Sequence, residues 1–185
     1  MSLFDDGLDA AVQKAFTRPA PKSAPAQMRY LVKQLKSTKA VAQMLRISQR
    51  TVERYVKDQI TKPRPDLAAR LEREVKKRWQ PQIRAKARRK AATTDGIVID
   101  TRARIGYTAP IGSTDEARLR HLTVALPPQY AARLFDAQQQ GAPEQRLREI
   151  AAEALKEVYF QDGGRRAGAL EEVRFTDIEH LEFDL

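Results

Sequence analysis

Residues 40–55 read Ala-Val-Ala-Gln-Met-Leu-Arg-Ile-Ser-Gln-Arg-Thr-Val-Glu-Arg-Tyr, and their spacing predicts two short helices that cross at a tight turn. Where two helices meet steeply, a few positions have to be apolar or small. Val41, Leu45, Ile47, Val52 and Tyr55 supply the apolar set, and Ala42 supplies the small residue that allows close approach. Ser48 stands where the second helix should begin, and its hydroxyl can accept a hydrogen bond from an orphan amide there. The second helix then displays Gln49, Arg50, Thr51, Glu53, Arg54 and Lys57 on its free face. That is the arrangement of a helix-turn-helix whose second helix enters the DNA major groove. Arg46 departs from the pattern, because a glycine is usual at that turn. The same residues also permit a plain helical hairpin with a solvated charged face.

Around this stretch the charge is uneven. The 185 residues carry a formal net charge of +10, and a balance of that sign favours a polyanionic partner. From Arg29 to Lys90 there are 20 Lys and Arg against 5 Asp and Glu, whereas Glu171 to Leu185 holds 6 acids and only Arg174. The basic excess is local, as nucleic-acid binding requires, and the acidic end can bind a basic partner or fold back. There are no cysteines, which excludes disulfides and thiolate metal sites. With His121 and His180 as the only histidines, a histidine metal centre is not expected. No apolar run reaches the roughly 20 residues of a membrane helix. The start lacks the basic-then-apolar order of a secretory signal. A soluble, intracellular protein that avoids membranes is the expectation.

The periodicity predicts an α+β, mostly helical chain in four parts. Residues 1–26 hold a short amphipathic helix (Phe4, Leu8, Val12, Phe16) and a linker stiffened by Pro19, Pro21 and Pro25. Residues 27–92 form the basic helix-turn-helix domain, with a helix from Met28 and another after Pro65 for which Asp66 is the expected cap. Residues 83–90 are a basic run with alanine spacers, suited to tracking phosphates or to serving as a solvated connector. Here Gln49, Arg50, Thr51, Arg54 and Lys57 are the expected DNA-facing residues. Arg46, Lys62, Arg64, Arg84, Lys86, Arg88 and Arg89 are secondary phosphate contacts.

Residues 93–162 change character. Ile97–Ile99 and Arg104–Thr108 read as short strands, bounded by Gly96, Pro110 and Gly112. Leu122, Val124 and Leu126 alternate with His121, Thr123 and Ala125, which predicts a half-buried strand stopped by Pro127-Pro128. Helices follow over 129–139 and 144–160. This strand–helix–helix order resembles the ribbon-helix-helix domain, which pairs its strand with a second copy of the chain. His121, Thr123 and Ala125 would then point outward. An ordinary αβ core, or a dimerisation unit that reads no DNA, fits the same pattern. Residues 163–185 read as an acidic, loosely patterned tail in which Phe175, Ile178, Leu181 and Phe183 can pack or dock.

Three segments carry a resemblance that covers the chain from end to end at the same length. They are Met-Ser-Leu-Phe-Asp-Asp-Gly-Leu-Asp-Ala-Ala at the start, Lys39 to Tyr55, and Gly-Tyr-Thr-Ala-Pro-Ile-Gly-Ser-Thr-Asp-Glu-Ala-Arg from Gly106 to Arg118. Together they resemble the telomere terminal proteins of Streptomyces-type linear replicons. The resemblance implies a protein joined covalently to DNA 5′ ends that primes the synthesis patching the recessed end. It implies telomeric DNA, as a single-stranded 3′ overhang or duplex end, a telomere-associated protein and a DNA polymerase as partners, and a place at chromosome ends in the nucleoid. It also implies Thr114 as the linkage residue, with Ser113 as the neighbour able to replace it and Tyr107 or Thr108 as more distant options.

The chemistry suits a primer. A polymerase extends a hydroxyl, and a protein primer offers one from Ser, Thr or Tyr while the polymerase supplies the divalent metal and the nucleotide. No cofactor or metal site of its own is expected. Ser113 and Thr114 follow Pro110 and Gly112 and so read as a loop between strand and helix. Ser113-Thr114-Asp115-Glu116 also reads as a capping box for that helix. A Gly-rich phosphate loop with its lysine, a nucleophile elbow and a carboxylate cluster on one helix face are all absent from the sequence, which disfavours an ordinary enzyme. Two other classes use the same residues: a helix-turn-helix transcription regulator, and a nucleoid or partition protein that binds DNA through charge.

Overall fold

A computed structural model describes residues 2–108, 115–161 and 170–185, with backbone alone at 115 and 116. Among them the chain is α+β, with eight α-helices and one three-stranded antiparallel sheet. It divides into two compact units, Thr17–Pro81 and Met1–Phe16 with Gln82–Leu185. These bounds differ from the four parts expected from the sequence.

The first unit holds α2 (Ala24–Leu35), α3 (Thr38–Leu45), α4 (Gln49–Val56) and α5 (Pro65–Arg78). Each start has a local cause. Pro25 lies in the first turn of α2, where a missing amide costs nothing. Ser37 caps α3 by accepting from the Ala40 amide at 3.1 Å. Pro65 opens α5 after Arg64, so Asp66 lies in the first turn rather than at the cap. Met28, Leu31, Val41, Leu45, Val52 and Leu71 are fully buried at the centre of this unit. Burying side chains of this size contributes about 1.5–3 kcal/mol each, which offsets the self-repulsion of a basic unit. Trp79 closes the unit by donating its indole N–H to the Arg18 carbonyl at 2.9 Å and setting its ring edge-on to Tyr30.

The second unit is built on the sheet, in strand order β2-β1-β3. β1 spans Ile97–Thr108, β2 spans Asp115–Leu126 and β3 spans Glu172–Asp184. The two short strands expected near 97–99 and 104–108 are one strand. The polar residues between them alternate: Thr101 and Ala103 are buried, while Arg102 and Arg104 are exposed. The buried Thr101 hydroxyl is satisfied by the His180 carbonyl of β3 at 2.9 Å. Gly96 precedes β1 at φ 75°, and a Cβ there would stand 2.2 Å from the Leu126 carbonyl oxygen.

The helices α1 (Leu3–Lys14), α7 (Pro128–Gln139) and α8 (Glu144–Leu155) belong to this unit, together with α6 (Pro81–Lys90) from Gln82 onward. The N-terminal helix is therefore no appendage. Phe4 meets Phe175 and Phe183 of β3 with ring centroids 6.1 and 6.0 Å apart, and Leu8 and Val12 are fully buried beside it. The expected tail is corrected in the same way. Residues 172–184 form a sheet strand in which Val173, Phe175, Leu181 and Phe183 are buried. A register shift and the left-handed Asp177 (φ 46°) interrupt the alternation between those pairs, which hid the strand from a reading by period.

β2 is longer than the strand expected at 121–126 and pairs with β1 of the same chain. His121, Thr123 and Ala125 are exposed, as the alternation predicts, while Leu122 and Leu126 are buried in the chain's own core. That core covers Leu122 and Leu126 without a second copy, while Val124 is half-buried and Leu119 exposed. Because β2 begins at Asp115, no helix follows Ser113, and the capping-box reading of 113–116 does not hold.

Candidate nucleic-acid interface

The basic excess lies wholly in one unit. Residues 17–81 carry 17 Lys and Arg against 5 Asp and Glu, a net of +12, whereas the rest carries 17 against 19, a net of −2. Within that unit α3 and α4 are joined by three residues, Arg46, Ile47 and Ser48. Arg46 takes the left-handed conformation (φ 54°, ψ 49°), and its N–H reaches the Gln43 carbonyl at 3.2 Å. The Ile47 amide reaches back to the Ala42 carbonyl at 3.0 Å. This is the Schellman-type ending that glycine favours; for a residue with a Cβ it costs about 1–2 kcal/mol.

Ser48 starts α4 as the sequence predicts, accepting from the Thr51 amide at 3.1 Å, with the Thr51 hydroxyl 2.8 Å from its own. Val52 and Tyr55 turn inward and are buried, and burial raises the Tyr55 pKa above its ordinary value. Arg50, Arg54 and Lys57 stand at i, i+4 and i+7 on the opposite face and are exposed. They form no ion pair among the described residues. Gln49 is exposed too, but its amide donates to Thr38 at 3.1 Å and to Glu53 at 3.0 Å. Thr51 is half-buried and used by the cap. The free surface of α4 is thus cationic, with its amide and hydroxyl already engaged.

The far end of α4 is tied down by a residue that the sequence reading did not single out. Arg29 of α2 donates to the Val56 carbonyl at 3.2 Å and to the Asp58 carboxylate at 2.7 Å. Asp58 is itself left-handed (φ 57°). Lys62 and Arg64 are exposed on the segment leading to α5, where the Lys62 carbonyl accepts from the Tyr55 hydroxyl at 3.4 Å.

The basic run over 83–90 divides. Lys86 and Arg89 are exposed on α6, whereas Arg84 is buried and Arg88 half-buried, both turned into the chain's own contacts. Arg84 is buried, 2.7 Å from the Asp9 carboxylate and over the Phe16 ring. Arg88 donates to Gln138 at 3.0 Å and lies over Phe135, where burial, and then Arg84, lower its pKa. Both anchor α6 to the sheet unit.

Ser113 and Thr114 lie outside the described residues. The chain enters that segment from Thr108 at the end of β1 and leaves it at Asp115 of β2. Tyr107, half-buried, sets its ring edge-on to Phe160, and the Thr108 carbonyl accepts from the Glu171 amide at 3.0 Å. On the exposed sheet face, Asp100 of β1 takes both histidines, His121 and His180, each with Nε2 3.2 Å from the same Oδ1. Thr123 donates to its other oxygen at 2.5 Å. Among the described residues no group of three or more ligating side chains could hold a metal ion, and no helix is long and apolar enough to cross a membrane. Compared with known proteins, the chain matches no family model, no curated protein and no solved structure.

Proposed function

We propose that this chain is a DNA-binding terminal protein that caps the ends of linear replicons and primes end-patching synthesis. The observation that carries the DNA-binding part is the cationic face of α4, Arg50, Arg54 and Lys57, in a unit with a net charge of +12. The α3–turn–α4 pair acts as a helix-turn-helix, with α4 in the major groove and Arg46, Lys62 and Arg64 on phosphates. The priming part rests on the resemblance of the three sequence segments quoted above.

In the priming step the Thr114 hydroxyl oxygen attacks the α-phosphorus of a deoxynucleoside triphosphate. A phosphodiester bond to the side chain forms, the bond to pyrophosphate breaks, and the hydroxyl proton leaves to the polymerase site. Ser113 is the substitute acceptor. The polymerase brings the paired metal ions that activate the oxygen and stabilise the leaving group. The chain contributes the acceptor and the positioning surface, which is worth most when it holds the reacting atoms close.

A transcription regulator would use the same helix pair, and attachment separates the two. Protein isolated with its DNA and treated with strong denaturant stays attached until protease is added if it is a terminal protein. DNA released by denaturant alone contradicts the proposal and leaves a groove-binding regulator.

A further inference from the structure

Five non-glycine residues have a positive φ among the described residues: Lys36, Arg46, Asp58, Gln80 and Asp177. A backbone strain of this kind persists where the surrounding structure over-determines it, and where glycine would be easier a side chain is retained for what it holds. For three of them the side chain is bound inside the chain. Asp58 binds Arg29 at 2.7 Å, Gln80 binds the Thr17 amide at 3.0 Å and its hydroxyl at 3.2 Å, and Asp177 pairs with Arg104 at 3.5 Å. Lys36 and Arg46 differ. Both are exposed cations, and neither side chain has a partner among the described residues.

Their placement is also specific. Lys36 ends α2 and Arg46 ends α3, so the two bracket α3, an eight-residue helix. At 1.5 Å per residue that helix is about 12 Å long, close to the roughly 12 Å width of the major groove. In a helix-turn-helix the first helix crosses the DNA backbone. Glycine at either position would relieve the strain, but it would remove a charge held at one end of the crossing helix.

We infer that Lys36 and Arg46 are a pair of phosphate clamps, each holding a DNA backbone phosphodiester at one end of α3, and that their left-handed backbones are tolerated for that contact. The inference rests on the DNA-binding reading above. It adds Lys36, which the sequence reading did not select, and gives Arg46 a reason for occupying the turn where glycine is usual.

The test uses the full chain and a mixed-sequence DNA duplex of about 20 bp, long enough for a major-groove contact. Affinity is measured across a salt series for the parent, Lys36→Gly, Arg46→Gly, Arg54→Ala and Lys77→Ala, the last an exposed cation of α5 outside the proposed contact. Each glycine variant should melt at a higher temperature than the parent yet bind about fivefold more weakly at 0.15 M salt, with the logarithmic salt slope reduced by about 0.9. Glycine variants that bind as tightly as the parent, or lose no more than Lys77→Ala, overturn the clamp and point to an acidic protein surface as the partner. A lower melting temperature overturns the claim of strain. If Arg54→Ala weakens binding while the glycine variants do not, only the clamp fails. If none of the substitutions matters, the DNA-binding reading fails with it.

Discussion

Arg84 and Asp9 form an ion pair across 2.7 Å, with the arginine side chain 8% exposed and the carboxylate 28%. A guanidinium in that position ties α6 to α1 and has no face left for a phosphate. Removing it leaves Asp9 partly buried without its main partner. Arg84→Ala should therefore cost about 2–4 kcal/mol, below the full penalty of a completely buried pair because Asp9 keeps some water. Chemical denaturation measures the loss, and DNA affinity of the folded protein should be unchanged. A stable variant with weakened DNA binding would return Arg84 to the interface.

The Asp100 cluster makes stability depend on acid. The Thr123 hydrogen bond, and then the one from His121, hold the Asp100 carboxyl below its ordinary value. A group whose folded pKa is depressed binds its proton more weakly in the folded state, so its contribution is present above the unfolded value, about 3.9. It is lost as pH falls through the folded value. Melting curves at successive pH values should show parent and Asp100→Asn separated by a steady offset above about pH 4 and converging as pH falls below it. Parallel curves would mean that the carboxylate contributes nothing.

Gly96 tests the sheet frame. The close Leu126 carbonyl and the φ of 75° both forbid a side chain there. Gly96→Ala should destabilise the sheet unit by about 2–5 kcal/mol, from strain and overpacking together. A variant as stable as the parent would contradict the close approach of Gly96 to the Leu126 carbonyl.

Arg54 tests the free face of α4. Arg54→Ala should weaken DNA binding by about 1–3 kcal/mol if the guanidinium reaches a base edge or a tight phosphate contact. An unchanged affinity at physiological salt would remove this face from the contact surface.

The helical unit was legible because its signals are local. Ser48 caps α4 through its own third neighbour, and Val41, Leu45, Val52 and Tyr55 bury on the faces that their spacing dictates. The sheet unit was legible only in pieces. β1 carries Asp100, Arg102 and Arg104 on its open face, and these polar residues divided one strand into two apparent runs. β3 hid behind the irregularity near Asp177, which changes the spacing of its apolar residues from two to six between Phe175 and Leu181. Pairings such as Phe4 with Phe183 join the two ends of the chain, and no window of sequence contains both. The basic run over 83–90 misled for a related reason. Charge marks a surface only if the side chain is free, and the partner of Arg84 is 75 residues away.

Thr114 is the residue on which the priming role turns. Full-length protein incubated with the polymerase, the telomere-associated partner and deoxynucleotides, then trimmed with nuclease, can be fragmented and read by mass spectrometry. The proposal predicts a nucleotide monophosphate bonded to Thr114, moving to Ser113 or vanishing in Thr114→Ala. Peptides covering residues 109–118 that carry no nucleotide, from a reaction in which the DNA ends are filled, would contradict it.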